Sequence, residues 1–272
     1  MTVRSSLPKR WLKKWARRCV TAGGWATHWT RGSDRSGLRI LTYHRIEADD
    51  SDPFAVAPSA FRDQMAVLSS GGSVTALSEA LARLDRKDPA FFRIALTFDD
   101  GTRDFLAEAL PILQAFRLPA TLYVSPLKVG GAGFLSWEEL QEISRTDIAV
   151  ECHGLDHRSL GGLAPDELRR QIRESKRRLE DRLGKEVTSI AYPYGTVRDF
   201  DENVKLEVRQ AGYQNGCSSI NGLNQAGSDR FELKRTKIEQ ADQPIFEWIL
   251  AGHLDAWSMV DRHLGSLQNR YR

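Results

Sequence analysis

Cysteine is scarce in this chain and scattered. Cys19, Cys152 and Cys217, three in 272 residues, form neither the even, closely spaced set of a disulfide framework nor the CxxC of a thiolate metal site. A reducing compartment is the simpler expectation. No stretch approaches the roughly 18 consecutive apolar residues of a membrane-spanning helix. Charges interrupt every apolar run within residues 1–30, so the unbroken hydrophobic segment of a secretory signal is not read there, and a cytoplasmic protein is expected. Proline is held to ten residues, and no repeat or low-complexity tract breaks the chain, which argues against extended disorder. Acids are nearly missing from the front: only Asp34 precedes Glu47, against eleven lysines and arginines. With a net charge of +3 overall, the remainder is acidic. The basic front matches no recognisable nucleic-acid reader, so no nucleic-acid partner is expected.

What the front does contain is periodicity. Leu7, Trp11, Leu12, Trp15 and Cys19 recur at three- and four-residue steps with Lys and Arg between them, the pattern of a basic amphipathic helix. Residues 7–20 of such a helix suit peripheral contact with an anionic membrane, here the inner face of the cell membrane. Packing of the same helix on the body of the protein is the structural alternative. A polar, glycine-containing link then leads to the apolar run Leu38–Tyr43. The expected organisation is an N-terminal extension over 1–37 and a catalytic domain over 38–272.

From Leu38 onward strand and helix patterns alternate. Strands are expected near Ile94–Phe98, Ala120–Val124, Ile148–Cys152, Ser189–Tyr192 and Gln214–Ser218, which makes an α/β parallel sheet or barrel. Ser59, Ser136 and Pro165 read as helix starts, and Gly184 as a helix end.

Three segments at strand ends carry chemistry. Ile94-Ala-Leu-Thr-Phe-Asp-Asp-Gly101 places two adjacent carboxylates where the backbone leaves the sheet, the position at which barrel enzymes keep reactive groups. The pair would repel unless a cation or a proton neutralises one member; solvated acids in an Asx-type turn are the alternative. Glu151-Cys-His-Gly-Leu-Asp-His157 spaces two imidazoles so that both can meet one metal ion. Ala191-Tyr-Pro-Tyr-Gly195 forms a turn whose Tyr194 N–H suits a developing oxyanion; a tight aromatic bend is the alternative.

Together, Thr97-Phe-Asp-Asp-Gly101, His153-xxx-His157 and Pro193-Tyr-Gly195 resemble, in that order, the motifs of the NodB-homology polysaccharide deacetylases, carbohydrate esterase family 4. The resemblance covers roughly residues 38 to 255. It implies a distorted (β/α) barrel and hydrolysis of N-acetyl groups on an amino-sugar polysaccharide, oligosaccharide or lipid-linked glycan by a metal-bound water. It assigns Asp99 as base and Asp100, His153 and His157 as ligands of one divalent ion, zinc first, with cobalt, nickel and iron as alternatives. Ile40-Leu-Thr-Tyr-His-Arg-Ile46 is similar to the N-terminal segment of the circularly permuted exopolysaccharide deacetylases, which implies His44 as general acid. Pro193, Tyr192 and Trp137 are candidates for sugar contact, the aromatic rings by stacking.

Three departures qualify the resemblance. Ala191 stands where the family usually has an arginine that orients the base, so another cation, with Arg235 as candidate, must do that work or Asp99 is less constrained. Gly154 replaces a usual serine or threonine, which predicts a looser loop. Ile249-Leu-Ala-Gly-His253 copies the usual C-terminal histidine segment poorly. A glycosidase using Asp99 and Asp100 is disfavoured, because glycosidic hydrolysis needs carboxyls about 5 to 9.5 Å apart across the sugar. An inactive carbohydrate- or membrane-binding barrel is the other reading.

Overall fold

The computed structural model describes residues 17–21, 36–49, 51–86 and 91–268. Seven parallel strands make one sheet in the order β6-β5-β4-β3-β2-β1-β7. They are β1 (Gly37–Tyr43), β2 (Phe92–Phe98), β3 (Ala120–Val124), β4 (Ile148–Cys152), β5 (Ser189–Ala191), β6 (Asn215–Cys217) and β7 (Thr236–Lys237). The connecting helices are α1 (Pro58–Ser70), α2 (Leu77–Leu84), α3 (Leu110–Phe116), entered through a π-helical turn, α4 (Trp137–Ile143), α5 (Pro165–Leu183) and α6 (Glu202–Gln210). After β7 come a 3-10 turn, α7 (Phe246–Leu250) and α8 (Trp257–Gln268). The sheet curls until its edges approach: Leu233 bridges Cys217 of β6, and Thr236 and Lys237 pair with Leu41 and Thr42 of β1. The result is the expected distorted (β/α) barrel.

Why each strand buries both faces follows from its period of two. Leu41 and Tyr43, Ile94, Leu96 and Phe98, and Ala120, Leu122 and Val124 join one core between sheet and helices. The alternate residues Leu38, Ile40, Ala95, Tyr123, Ala191 and Cys217 join a second core inside the curl, with α2 packed beneath. The interior face turns polar towards the carboxyl ends of the strands, where Thr97, Asp99, His153 and Arg235 are all buried.

Several helix boundaries read from sequence hold. Ser136 accepts from the Glu139 N–H in a reciprocal capping box, Pro165 opens α5, and Gly184 closes it at φ +64°. Ser59 does not cap α1, which begins at Pro58 after Ala57 without a side-chain cap. Of the expected amphipathic helix over 7–20, residues 7–16 lie outside the described residues. Over the described turn, Arg17 and Thr21 are buried and Cys19 is exposed. The side of this turn that meets the protein body is the one carrying Arg17 and Thr21, opposite Cys19. Arg17 turns inward because it meets acids: it donates to both oxygens of Asp242 at 3.2 and 2.6 Å and to the Lys237 carbonyl at 3.0 Å. Among the described residues no helix is long and apolar enough to cross a membrane.

Candidate active site

The reactive side chains converge because all strands run the same way and their ends share one rim. Asp99 follows β2, and its N–H donates to the Tyr43 carbonyl at 3.0 Å, which holds the end of β1 against it. Asp100 has φ 78°, so the two carboxylates part company. Gly101, also left-handed at +72°, lies against Val124, where a Cβ would come within 2.6 Å of Cγ1.

Asp99 turns into the barrel and meets Arg235, whose Nη1 and Nη2 donate to its two oxygens at 2.7 and 2.8 Å. The guanidinium is 1% exposed, and its Nε donates to the Ser218 carbonyl at 2.8 Å. Burial alone would raise the Asp99 pKa, yet Arg235 and nearby His153 outweigh it and hold the carboxyl down at about 2. The cation missing at Ala191 is therefore supplied from the residue just before β7.

Asp100 turns to the histidines. Its Oδ1 lies 3.1 Å from His157 Nε2 and 3.6 Å from His153 Nε2. Candidate ligand atoms of these three residues all lie within 4.8 Å of one another. His153 Nδ1 sits 2.8 Å from the Ala191 carbonyl. That contact fixes the Nδ1–H tautomer and leaves the Nε2 lone pair for a ligand, the arrangement of metal-binding histidines. Burial and its neighbour His157 lower the His153 pKa, which keeps it neutral and ready to ligate. Burial opposes ionisation of Asp100, but a hydrogen bond from His157 and the surrounding imidazoles drive its pKa far down. Two imidazoles and one carboxylate fit a divalent transition-metal ion.

The conformation at Gly154 is one that favours glycine. Its φ is +71°, and a Cβ there would come within 2.9 Å of Pro193 Cγ. Contact with Pro193 thus requires glycine and couples the histidine loop to the next motif. The loop is also tied by Leu127 N–H to the Leu155 carbonyl and Leu155 N–H to Gln171 Oε1.

His44 follows β1, with Nε2 4.0 Å from Asp99 Oδ2. Its ring stacks on Phe54 at 5.2 Å, and Lys237 lies over the other ring at 5.0 Å. Burial first, then Lys237 and Arg235, push the His44 pKa down to about 4 against the pull of Asp99. The resting imidazole is neutral near pH 7. Lys237 escaped sequence reasoning, although it stands two residues after Arg235 on the same strand face.

Tyr194 sits beside the histidines in a left-handed turn, φ 64°. Its half-open ring meets His157 edge-on at 4.8 Å. Tyr192 is not a sugar contact: it is fully buried, stacks on Phe200 at 4.8 Å and donates to the Phe231 carbonyl. Next to interior-facing Ala191 its side chain must leave through the outer face of the sheet. Trp137 is likewise a packing residue, set against the core under the Arg182 guanidinium at 5.4 Å. Pro193 is buried against Gly154. His253 is not among the groups gathered around Asp99 and Asp100.

Comparison with known proteins agrees with this geometry. The family described as Polysaccharide deacetylase matches residues 86–216. YxkH of Bacillus subtilis (strain 168), which carries a polysaccharide deacetylase name, is 26% identical over 77% of this chain and 74% of its own. The Streptococcus pyogenes deacetylase PplD, solved in complex with acetate, superposes with a TM-score of 0.72 at 25% identity, over 79% of this chain and 97% of that one. The poly-beta-1,6-N-acetyl-D-glucosamine N-deacetylase of Escherichia coli (strain K12) is 27% identical over 48% of this chain, which spans 23% of that longer protein. With the matched motifs on a shared barrel, the chain is similar over residues 86–216 to the polysaccharide deacetylases, and its relatives and structural neighbours are carbohydrate deacetylases.

Proposed function

We propose that the protein removes acetyl groups from N-acetylated amino sugars of a glycan, with Asp100, His153 and His157 holding one divalent ion. The observation that carries this reading is the division of labour between adjacent carboxylates: Asp99 is clamped by Arg235, and Asp100 faces two histidine Nε2 atoms. When bound, a divalent ion supplies Lewis acidity towards the acetyl oxygen and acidifies water.

The remaining steps belong to the side chains. Asp99, ionised at rest and fixed in orientation by Arg235, takes the proton of the attacking water. A carboxylate held at about 2 is a poor resting place for that proton. His44 Nε2 lies 4.0 Å from Asp99 Oδ2, on the side from which a leaving amine can be reached. A proton is then delivered from His44 to the departing amine. His44 is assigned the general acid. The Tyr194 amide is assigned the oxyanion.

Relatives from Escherichia coli and Staphylococcus aureus named for poly-beta-1,6-N-acetyl-D-glucosamine make β-1,6-linked N-acetylglucosamine oligomers the first substrates to try. Acetate release from such oligomers should be abolished by chelation and restored by zinc, cobalt or nickel. Undiminished release after complete metal removal would refute the proposal.

A further inference from the structure

His44 is held in a different way from His153. A histidine that presents one ring nitrogen to the chemistry is ordinarily oriented by a hydrogen bond at the other, as His153 is by the Ala191 carbonyl. The Nδ1 atom of His44 is buried and has no hydrogen-bond partner among the described residues. The torsion that turns an imidazole about its Cβ–Cγ bond has only a broad intrinsic preference, so something other than a polar contact must set the ring plane. Nε2 nevertheless faces the centre, 4.0 Å from Asp99 Oδ2. What lies against the imidazole is the Phe54 ring, with centroids 5.2 Å apart and planes inclined by 29°.

Phe54 is fixed in turn by the chain around it. The loop that carries it leaves the end of β1 and comes back beside it: Arg45 and Ala55 form a parallel bridge, and the Val56 N–H donates to the Arg45 carbonyl at 2.9 Å. The Phe54 N–H donates to Asp52 Oδ1 at 2.9 Å, and Arg45 Nε holds the other oxygen of that carboxylate at 3.3 Å. The Pro53 carbonyl accepts from the Gln240 N–H at 3.1 Å, and the Ile46 N–H donates to Asp104 Oδ2 at 2.7 Å, which ties the loop to the turn that follows Asp99 and Asp100. On the ring itself, Lys237 sets its ammonium 5.0 Å from the centroid, within the range of a cation–π contact. Yet Phe54 joins neither hydrophobic core, so it carries little of the barrel's packing. A ring this firmly held and this little needed by the core has its main contact with His44.

We propose that Phe54 is a positioning residue for His44: its ring, braced by Lys237, fixes the imidazole plane so that Nε2 points at the departing amine. The inference rests on the reading of His44 as the general acid and deepens it. An acid free to swing is misaligned for part of the time, which slows proton delivery without weakening substrate binding, so loss of the ring acts on kcat and spares KM.

The test compares the ringless variant Phe54→Leu, with Phe54→Met as a second, against Phe54→Tyr, which keeps the ring. Each zinc-loaded full chain is given two acetyl donors: the β-1,6-linked N-acetylglucosamine trimer, whose amine departs only with a proton, and p-nitrophenyl acetate, whose phenolate leaves without one. The ringless variants should lose about tenfold more in kcat on the trimer than on the ester, a fraction of what general acid catalysis supplies, at unchanged KM, and Phe54→Tyr should restore the ratio. In a His44→Ala background Phe54→Leu should cost nothing further on the trimer. Equal losses on the two donors, or a full additional loss without the imidazole, would overturn the proposal. Should the trimer release no acetate at all, the deacetylase reading fails separately, and carbon relaxation of the labelled His44 ring decides the contact: the ring should become mobile on the picosecond to nanosecond scale in Phe54→Leu and stay rigid in Phe54→Tyr, whereas a ring equally rigid in both would overturn the positioning role.

Discussion

At the scale of single residues, the site depends on a buried ion pair whose partners lie 136 positions apart. Replacing one member of such a pair leaves the other charged and dry, which typically costs about 3 to 5 kcal/mol. Arg235→Met should therefore lower unfolding free energy by roughly that amount, and adding Asp99→Asn should recover much of it, as read by chemical denaturation. A stable Arg235→Met protein would show that Asp99 has another partner. The Asp-Asp and His-x-x-x-His residues were legible because each sits beside an apolar strand that announces its position. Tyr192 was not legible in the same way, because an aromatic ring beside a motif suits a sugar platform and a core contact equally. Counting outward from Ala191 by single steps would have sent Tyr192 to the helix side of the sheet, where it is buried. The same count from Arg235 would have found Lys237.

Elements set how far those residues can move. Strands β2, β3, β4 and β5 were readable from their β-branched and aromatic runs, while β7, with two residues, is too short to carry a pattern of its own. The loop after β4 lacks a hydroxyl at residue 154, and its conformation there is set by what a side chain would strike. At φ +71° and 2.9 Å from Pro193 Cγ, Gly154→Ser should destabilise by about 1 to 3 kcal/mol, through backbone strain and overpacking. It should also weaken metal affinity, because His153 precedes it directly. Thermal unfolding and zinc titration would check both, and a Gly154→Ser protein with unchanged midpoint and affinity would mean that the loop yields freely.

Over the whole molecule, closure is the feature least visible in sequence. The chain between Leu233 and Lys237 reaches β6 on one side and β1 on the other, and it delivers Arg235 and Lys237 to the centre. Pairings of that separation leave no local period to read. The inward turn of Arg17 towards Asp242 escaped for the same reason, since a basic residue on an amphipathic pattern gives no sign of a buried acid more than two hundred residues away. The cation clamping Asp99 removes the main ground for an inactive barrel, which was the alanine at position 191. The account then stands on separable roles for neighbouring carboxylates, and one paired measurement reads them: bound zinc and acetate release in Asp99→Asn beside Asp100→Ala. Asp99→Asn should keep one equivalent of zinc while losing acetate release by at least about a hundredfold, as expected for a lost general base, and Asp100→Ala should lose both. Full activity in Asp99→Asn, or undiminished zinc in Asp100→Ala, would contradict the assignment.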